Sequence, residues 1–361
     1  MIRLRRGIVT ALGAARPGAL ELEVEVEGGR AAALAYPDLI GPVEVGDPVV
    51  LNTTAVALGL GTGGVHFVVA VEGRESRDGS AGRVMKARYT PVQTVVATVE
   101  ETHGALLEGS AGLAGAPVVV CPLHSMIALV AAGAKRAGDG ARVIYVMTDG
   151  AALAGGFSRL VPALRDAGLL DGWITCGQAF GGELEAVTVW TAMLAAVEVL
   201  GAEVIVVADG PGNLGTDTTW GVSALSGGNT LNAAAQLGGK PIPALRISFA
   251  DQRTRHRGLS HHSLTILRDV CLVETNVPVP TLVDEVQRET VWGALRDAGS
   301  EDRHQLVEVD GRPAIDELAA RDVQVTTMGR GVTHDPVFFE AAGSAGVLAG
   351  RLAVQNRRWR Q

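Results

Sequence analysis

Three of the chain's eight histidines, His256, His261 and His262, fall within seven residues in the segment SFADQRTRHRGLSHHS (248–263). The same segment carries Asp251, Arg253, Arg255 and Arg257. Imidazole accepts or donates protons near neutral pH, and guanidinium grips a carboxylate or phosphate through paired hydrogen bonds. Such a site suits proton transfer on a small anion, with Asp251, His256 and His262 as catalytic candidates, Asp251 orienting an imidazole, and Arg253, Arg255 and His261 as ligand-binding ones. A divalent metal is a second use, held by two or more strand-end Asp with a His, although no metalloprotease, EF-hand or cysteine-based pattern is present. Neighbouring His261 and His262 are expected to diverge, so that at most one faces the site. The plainer alternative is an Arg- and His-rich surface loop.

A second concentration is DGPGNLGTDTTWG (209–221), between a strand-like and a helix-like run. Its glycines, Gly210 and Gly212 among them, let backbone N–H groups approach an anion, and Thr216 and Thr218 supply hydroxyls. The loop lacks both the P-loop and the dinucleotide fingerprint, which favours hydrolase or transferase chemistry over redox. A loop that merely caps a helix is the alternative. His124, Asp149, Gln178 and Asp209 each follow a strand-like run and join the ligand-binding candidates. Glu183 and Glu185 are read as carboxylates opening a helix. No Gly-x-Ser-x-Gly elbow is present, and Cys121 and Cys176 are read as buried small hydrophobes.

These residues need a scaffold. The runs VVVCP (118–122), RVIYVMTD (142–149), GWITCG (172–177), EVIVVAD (203–209) and ALRISFAD (244–251) alternate with helix-length segments, and a closing helix is expected near 336–354. Near-continuous apolar strands joined by helices predict a mostly parallel, doubly wound α/β sheet over 91–361, with ligands bound past the strands' carboxyl ends. Residues 1–90 are a small β-rich, barrel-like domain, on the alternation of LELEVEVEG (20–28) and turn signals every ten or so residues. The polar stretch 72–83 is the linker or a long loop, and the Gly-rich segment 51–67 a turn, or else a loop laid against the larger domain.

A length of 361 residues and 47% hydrophobic content suffice for two cores. A net charge of −8 opposes a nucleic-acid partner. The three cysteines form no Cys-x-x-Cys pair, and no signal-peptide pattern opens the chain, so a cytoplasmic protein is expected. The uncharged stretch 111–134 is read as a buried strand entering a buried helix, not as a membrane span.

The phrases MKARYTPVQ (85–93), CGQAFGGELEAV (176–187), DGPGNLGTDTTWG (209–221) and SFADQRTRHRGLSHH (248–262) resemble an uncharacterised bacterial family classed as a domain of unknown function. The resemblance covers nearly the whole chain and implies no activity. The leading functional expectation is therefore the residues' own: an enzyme, hydrolase or transferase, acting on a small anionic or phosphorylated metabolite. The alternatives are a non-catalytic ligand sensor or protein-partner platform, and a homo-oligomeric assembly component built on apolar helices such as 183–200.

Overall fold

A computed structural model of the chain describes residues 1–61, 63–75 and 82–360. Its first five strands are β1 (Leu4–Arg16), β2 (Ala19–Val26), β3 (Gly29–Ala35), β4 (Pro48–Asn52) and β5 (His66–Val71). On β2 the two-residue period turns Leu22, Val24 and Val26 inward and Glu21, Glu23 and Glu25 outward. The strands close into a barrel in the order β1-β2-β3-β5-β4. Only β3 and β5 pair parallel, and two register shifts let the long β1 curve around the barrel. The barrel-like expectation is met, with Val9, Val24, Val49 and Leu51 in its core. At the end of the Gly-rich segment 51–67, of which position 62 lies outside the described residues, the Phe67 ring sits 6.1 Å from that of Phe157.

Of the expected linker 72–83, positions 76–81 lie outside the described residues. Beyond it β6 (Val84–Lys86) and β7 (Thr94–Val96) form a hairpin. Lys86 is fully buried and donates to the carbonyls of Gly177 (2.8 Å) and Ala186 (3.0 Å), with Glu185 at 3.4 Å. That contact ties the hairpin to the large sheet.

The large sheet comprises β8 (Pro117–Cys121), β9 (Val143–Thr148), β10 (Gly172–Thr175), β11 (Leu184–Glu185), β12 (Val204–Asp209) and β13 (Lys240–Pro243). All pairs are parallel, in the order β11-β10-β9-β12-β8-β13. Val119, Tyr145 and Val206 pack on one face against the helices Met126–Ala137 and Pro336–Arg360. Val118, Ile144 and Ile205 pack on the other against Val189–Glu198 and Ser226–Gln236. The stretch 111–134 resolves into β8 and a buried helix, as expected. Among the described residues one helix, Pro336–Trp359, is long and apolar enough to cross a membrane, yet 78% of its most apolar window is buried inside the protein. A Cβ on Gly133 would lie 2.8 Å from the Gly343 carbonyl, so glycine is what lets this helix pack closely on Met126–Ala137.

Two readings are corrected. The run 244–251 is not a strand of the large sheet. Lys240–Pro243 holds that place, at the sheet edge where its two prolines remove no central ladder bond. The chain then leaves the sheet, and β14 (Ile247–Ser248) pairs antiparallel with β15 (Gly258–Leu259). Glu183 and Glu185 do not open a helix either. Glu185 lies in edge strand β11 and accepts the Gly181 N–H at 2.6 Å, while the helix starts after Thr188, whose hydroxyl caps it. A separate parallel pair, β16 (Asn276–Pro280) and β17 (Gln305–Val309), contributes Val277 and Val279 to a further core.

Candidate functional site

Adjacent strands β8 and β12 send their chains to helices on opposite faces of the sheet, Met126–Ala137 and Ser226–Gln236. A crevice opens where they part. A cavity of about 620 Å³ fills it, lined by 122–125 after β8, 211–216 after β12, part of the 246–263 excursion, and 324–328. Arg159, Arg246, Arg253 and Arg255 reach its wall, and none of its described lining residues is acidic.

The arginines are held from behind. Asp251 is buried and accepts from Arg246 Nη2 (3.0 Å) and from Arg253 Nε (3.0 Å) and Nη2 (2.8 Å). Hydrogen bonding from Arg253 keeps its carboxyl well below the usual range despite burial. Asp251 therefore orients guanidinium groups. The expected Asp251 to imidazole pairing does not form, because His256 Nδ1 meets Ser260 Oγ instead, at 2.8 Å. Arg255 pairs through Nη2 with the exposed Asp217 at 2.6 Å, and its Nε is buried without an acceptor among the described residues.

The three histidines converge. Ring centroids lie 5.3 Å apart for His256 and His261, 5.1 Å for His256 and His262, and 3.9 Å for His261 and His262. His261 and His262 thus lie close together instead of diverging, yet only His262 lines the cavity, in keeping with the expectation that at most one of the pair faces it. Both sit in the first turn after the cap residue Ser260, where successive side chains step by about 100° and lean back toward the preceding segment, which here presents His256. Burial, aided by Arg246 and Arg253, pushes the His256 imidazole down to about 3. Burial, aided by His261 and nearby arginines, pushes His262 down to about 4. His261 is lowered by burial and then by Arg255. At neutral pH these rings are uncharged, the form that binds a cation.

Residues 32–346, which carry all of these groups, match the family model described as protein of unknown function (DUF3866). The chain belongs to this family. Comparison with curated proteins and with solved structures finds no match.

The other candidates of this DUF3866 protein divide between the cavity and its surroundings. Gly212 and Thr216 line the cavity. The Thr216 hydroxyl is occupied by Thr218 (2.9 Å) and the Gly221 carbonyl (3.0 Å), so the pair braces the loop internally. His124 lines it too, with both ring nitrogens engaged. The Asp209 carbonyl, 3.1 Å away, can only accept, so His124 Nδ1 carries the proton and Nε2 accepts from the Ser158 hydroxyl at 2.8 Å. Burial pushes His124 down to about 4.

Asp149, Gln178, Asp209 and Gly210 lie outside the cavity. Asp149 accepts the Gln178 N–H at 2.7 Å, and Asp209 accepts from the Thr148 hydroxyl (2.6 Å) and the Gly150 N–H (3.0 Å). These carboxylates close loops, and the expected Asp-plus-His metal set is not assembled among the described residues. Reasoning from strand ends missed Arg159, Arg246 and 324–328. Only Arg246 left a signal, a charge inside the apolar run ALRISFAD.

Proposed function

We propose that the cavity binds a small anionic metabolite and that the protein is an enzyme, a hydrolase or transferase, acting on it. The observation that carries this reading is the cavity wall, with four arginines and no acidic residue among those described, in a chain of net charge −8. Arg246 and Arg253 are pre-positioned by Asp251, which lowers the entropy lost on gripping a phosphate or carboxylate. Arg255 Nε is a buried donor awaiting an acceptor, a costly vacancy that an anion relieves. His256 and His262, uncharged and on the same wall, face the bound metabolite.

On this reading the sheet is doubly wound and Rossmann-like, with the ligand at the crevice beside its carboxyl ends. Residues 1–90 and 91–361 approximate two separate domains, with the β6–β7 hairpin counted to the second. The three cysteines, all free and buried, support a cytoplasmic setting. The outward row Glu21, Glu23 and Glu25 on the barrel opposes a nucleic-acid partner.

A thermal-shift screen of the wild type and Arg255→Ala against inorganic phosphate, pyrophosphate and small dicarboxylates tests the proposal. An anion at a hundredfold excess over its dissociation constant adds about 2.7 kcal/mol of stability. The proposal expects that rise in the wild type and, for an affinity at least ten times weaker, no more than about half of it in the variant. A wild type indifferent to every anion overturns it.

A further inference from the structure

We propose that His256, His261 and His262 form a three-imidazole site for one divalent transition metal of the zinc and cobalt class, set in the cavity wall. One ring nitrogen from each histidine lies within 4.8 Å of the other two. His261 Nε2 and His262 Nε2 are buried with no hydrogen-bond partner among the described residues, and His262 is only 5% exposed. Two adjacent imidazoles that both hide an unpartnered nitrogen are costly unless something joins them. A cation with metal–nitrogen bonds of about 2.1 Å supplies that partner after a modest closing of the triangle.

The surroundings fit ligation better than simple stacking. Ser260 is fully buried, caps the helix on which His261 and His262 sit, and holds His256 Nδ1 at 2.8 Å. That contact fixes the ring and leaves His256 Nε2 as the outward nitrogen, the usual supporting arrangement for a metal-bound histidine. Three imidazoles and no nearby free carboxylate suit zinc-class ions and not magnesium or calcium. His256 and His262 line the cavity and His261 does not; a fourth ligand would enter from the cavity side, as in catalytic zinc sites that keep one position open. The charged groups facing the cluster are Arg246, Arg253 and Arg255, partly offset by Asp251 and Asp217. Their net positive charge weakens the bare cation and favours an anion as its fourth ligand. The inference thus deepens the proposed function, resting on the same cavity.

The test uses the full chain, stripped with a chelator and titrated with Zn²⁺ by calorimetry and with Co²⁺ by visible absorption, in a buffer free of phosphate and carboxylate. One equivalent should bind, Co²⁺ should show the intense bands of a four-coordinate nitrogen site, and His261→Gln and His262→Gln should each weaken binding at least tenfold. Should the buried His262→Gln fail to fold, the half-buried His261→Gln decides alone. A folded wild type that takes up no stoichiometric metal, or a His261→Gln variant that binds as tightly as the wild type, overturns the site. Because neither phosphate nor carboxylate is present, this result is independent of the anion screen.

Discussion

Strand β12 has a parting of helices on both sides, toward β8 and toward β9. The β8 side opens into the arginine-walled cavity, while the β9 side borders a second cavity of about 600 Å³, walled by 152–154, 211–212 and barrel residues such as Tyr36 and Phe67, with no charged residue among its described lining. Between β12 and β9 the loops touch. A Cβ on Gly210 would lie 2.5 Å from the Ala152 carbonyl, and Ala152 N–H donates to the Pro211 carbonyl at 3.1 Å. The side chains there are Asp209 and Asp149, whose oxygens receive the donors that strand ends leave over. Between β12 and β8 the charged side chains that line the cavity are arginines, with His124, His256 and His262 beside them. A carboxylate accepts backbone N–H groups and so seals a loop, whereas a guanidinium has only donors and must look outward for an acceptor. Polar residues at strand ends are thus no uniform mark of a site. Their hydrogen-bonding sense decides.

The largest effect expected from breaking this contrast is Asp209→Ala, which leaves the Thr148 hydroxyl and Gly150 N–H without their acceptor. About 3 kcal/mol of stability should be lost in urea unfolding, while anion binding by the refolded protein stays intact. Acid sharpens the contrast next. His124 lies near 4 when folded against an ordinary value near 6.5, so the unfolded chain binds the proton first as pH falls. Its contribution of about 3 kcal/mol is present above pH 6.5 and is lost as pH drops toward 4. Thermal melts across that range should show a steeper decline for the wild type than for His124→Gln. The smallest stability change belongs to Arg255→Ala, because its partner Asp217 is 84% exposed. Less than about 0.5 kcal/mol should be lost, while anion affinity falls tenfold or more.

The contrast also shows how much was legible in the chain. The barrel was, because alternation such as Leu22, Val24 and Val26 against the glutamates needs no distant partner. The strands β8, β9, β10 and β12 and the helices after them were, as was the 248–263 cluster. What escaped depends on long-range pairing. Nothing local places β12 between β8 and β9, and so nothing local says which strand ends part and which are sealed. Asp149 and Asp251 look alike as strand-end carboxylates, yet one holds a backbone N–H and the other two guanidinium groups. The segment 324–328 reaches the cavity from some 75 residues beyond Arg246 and Arg253, a proximity seen in Met328 Sδ at 3.8 Å and 3.3 Å from them. The mistaken strand 244–251 followed from apolar content alone, where an edge strand carrying Pro241 and Pro243 had no such pattern.

The central claim is that anion chemistry sits on the β8 side of β12. The most direct measurement is a crystal of the full chain soaked in tungstate, a heavy phosphate mimic, with the anomalous density located. The account predicts a peak among Arg246, Arg253 and Arg255 and none beside Asp149 or Gln178. A peak at the β9 and β10 ends with the cavity empty would contradict it.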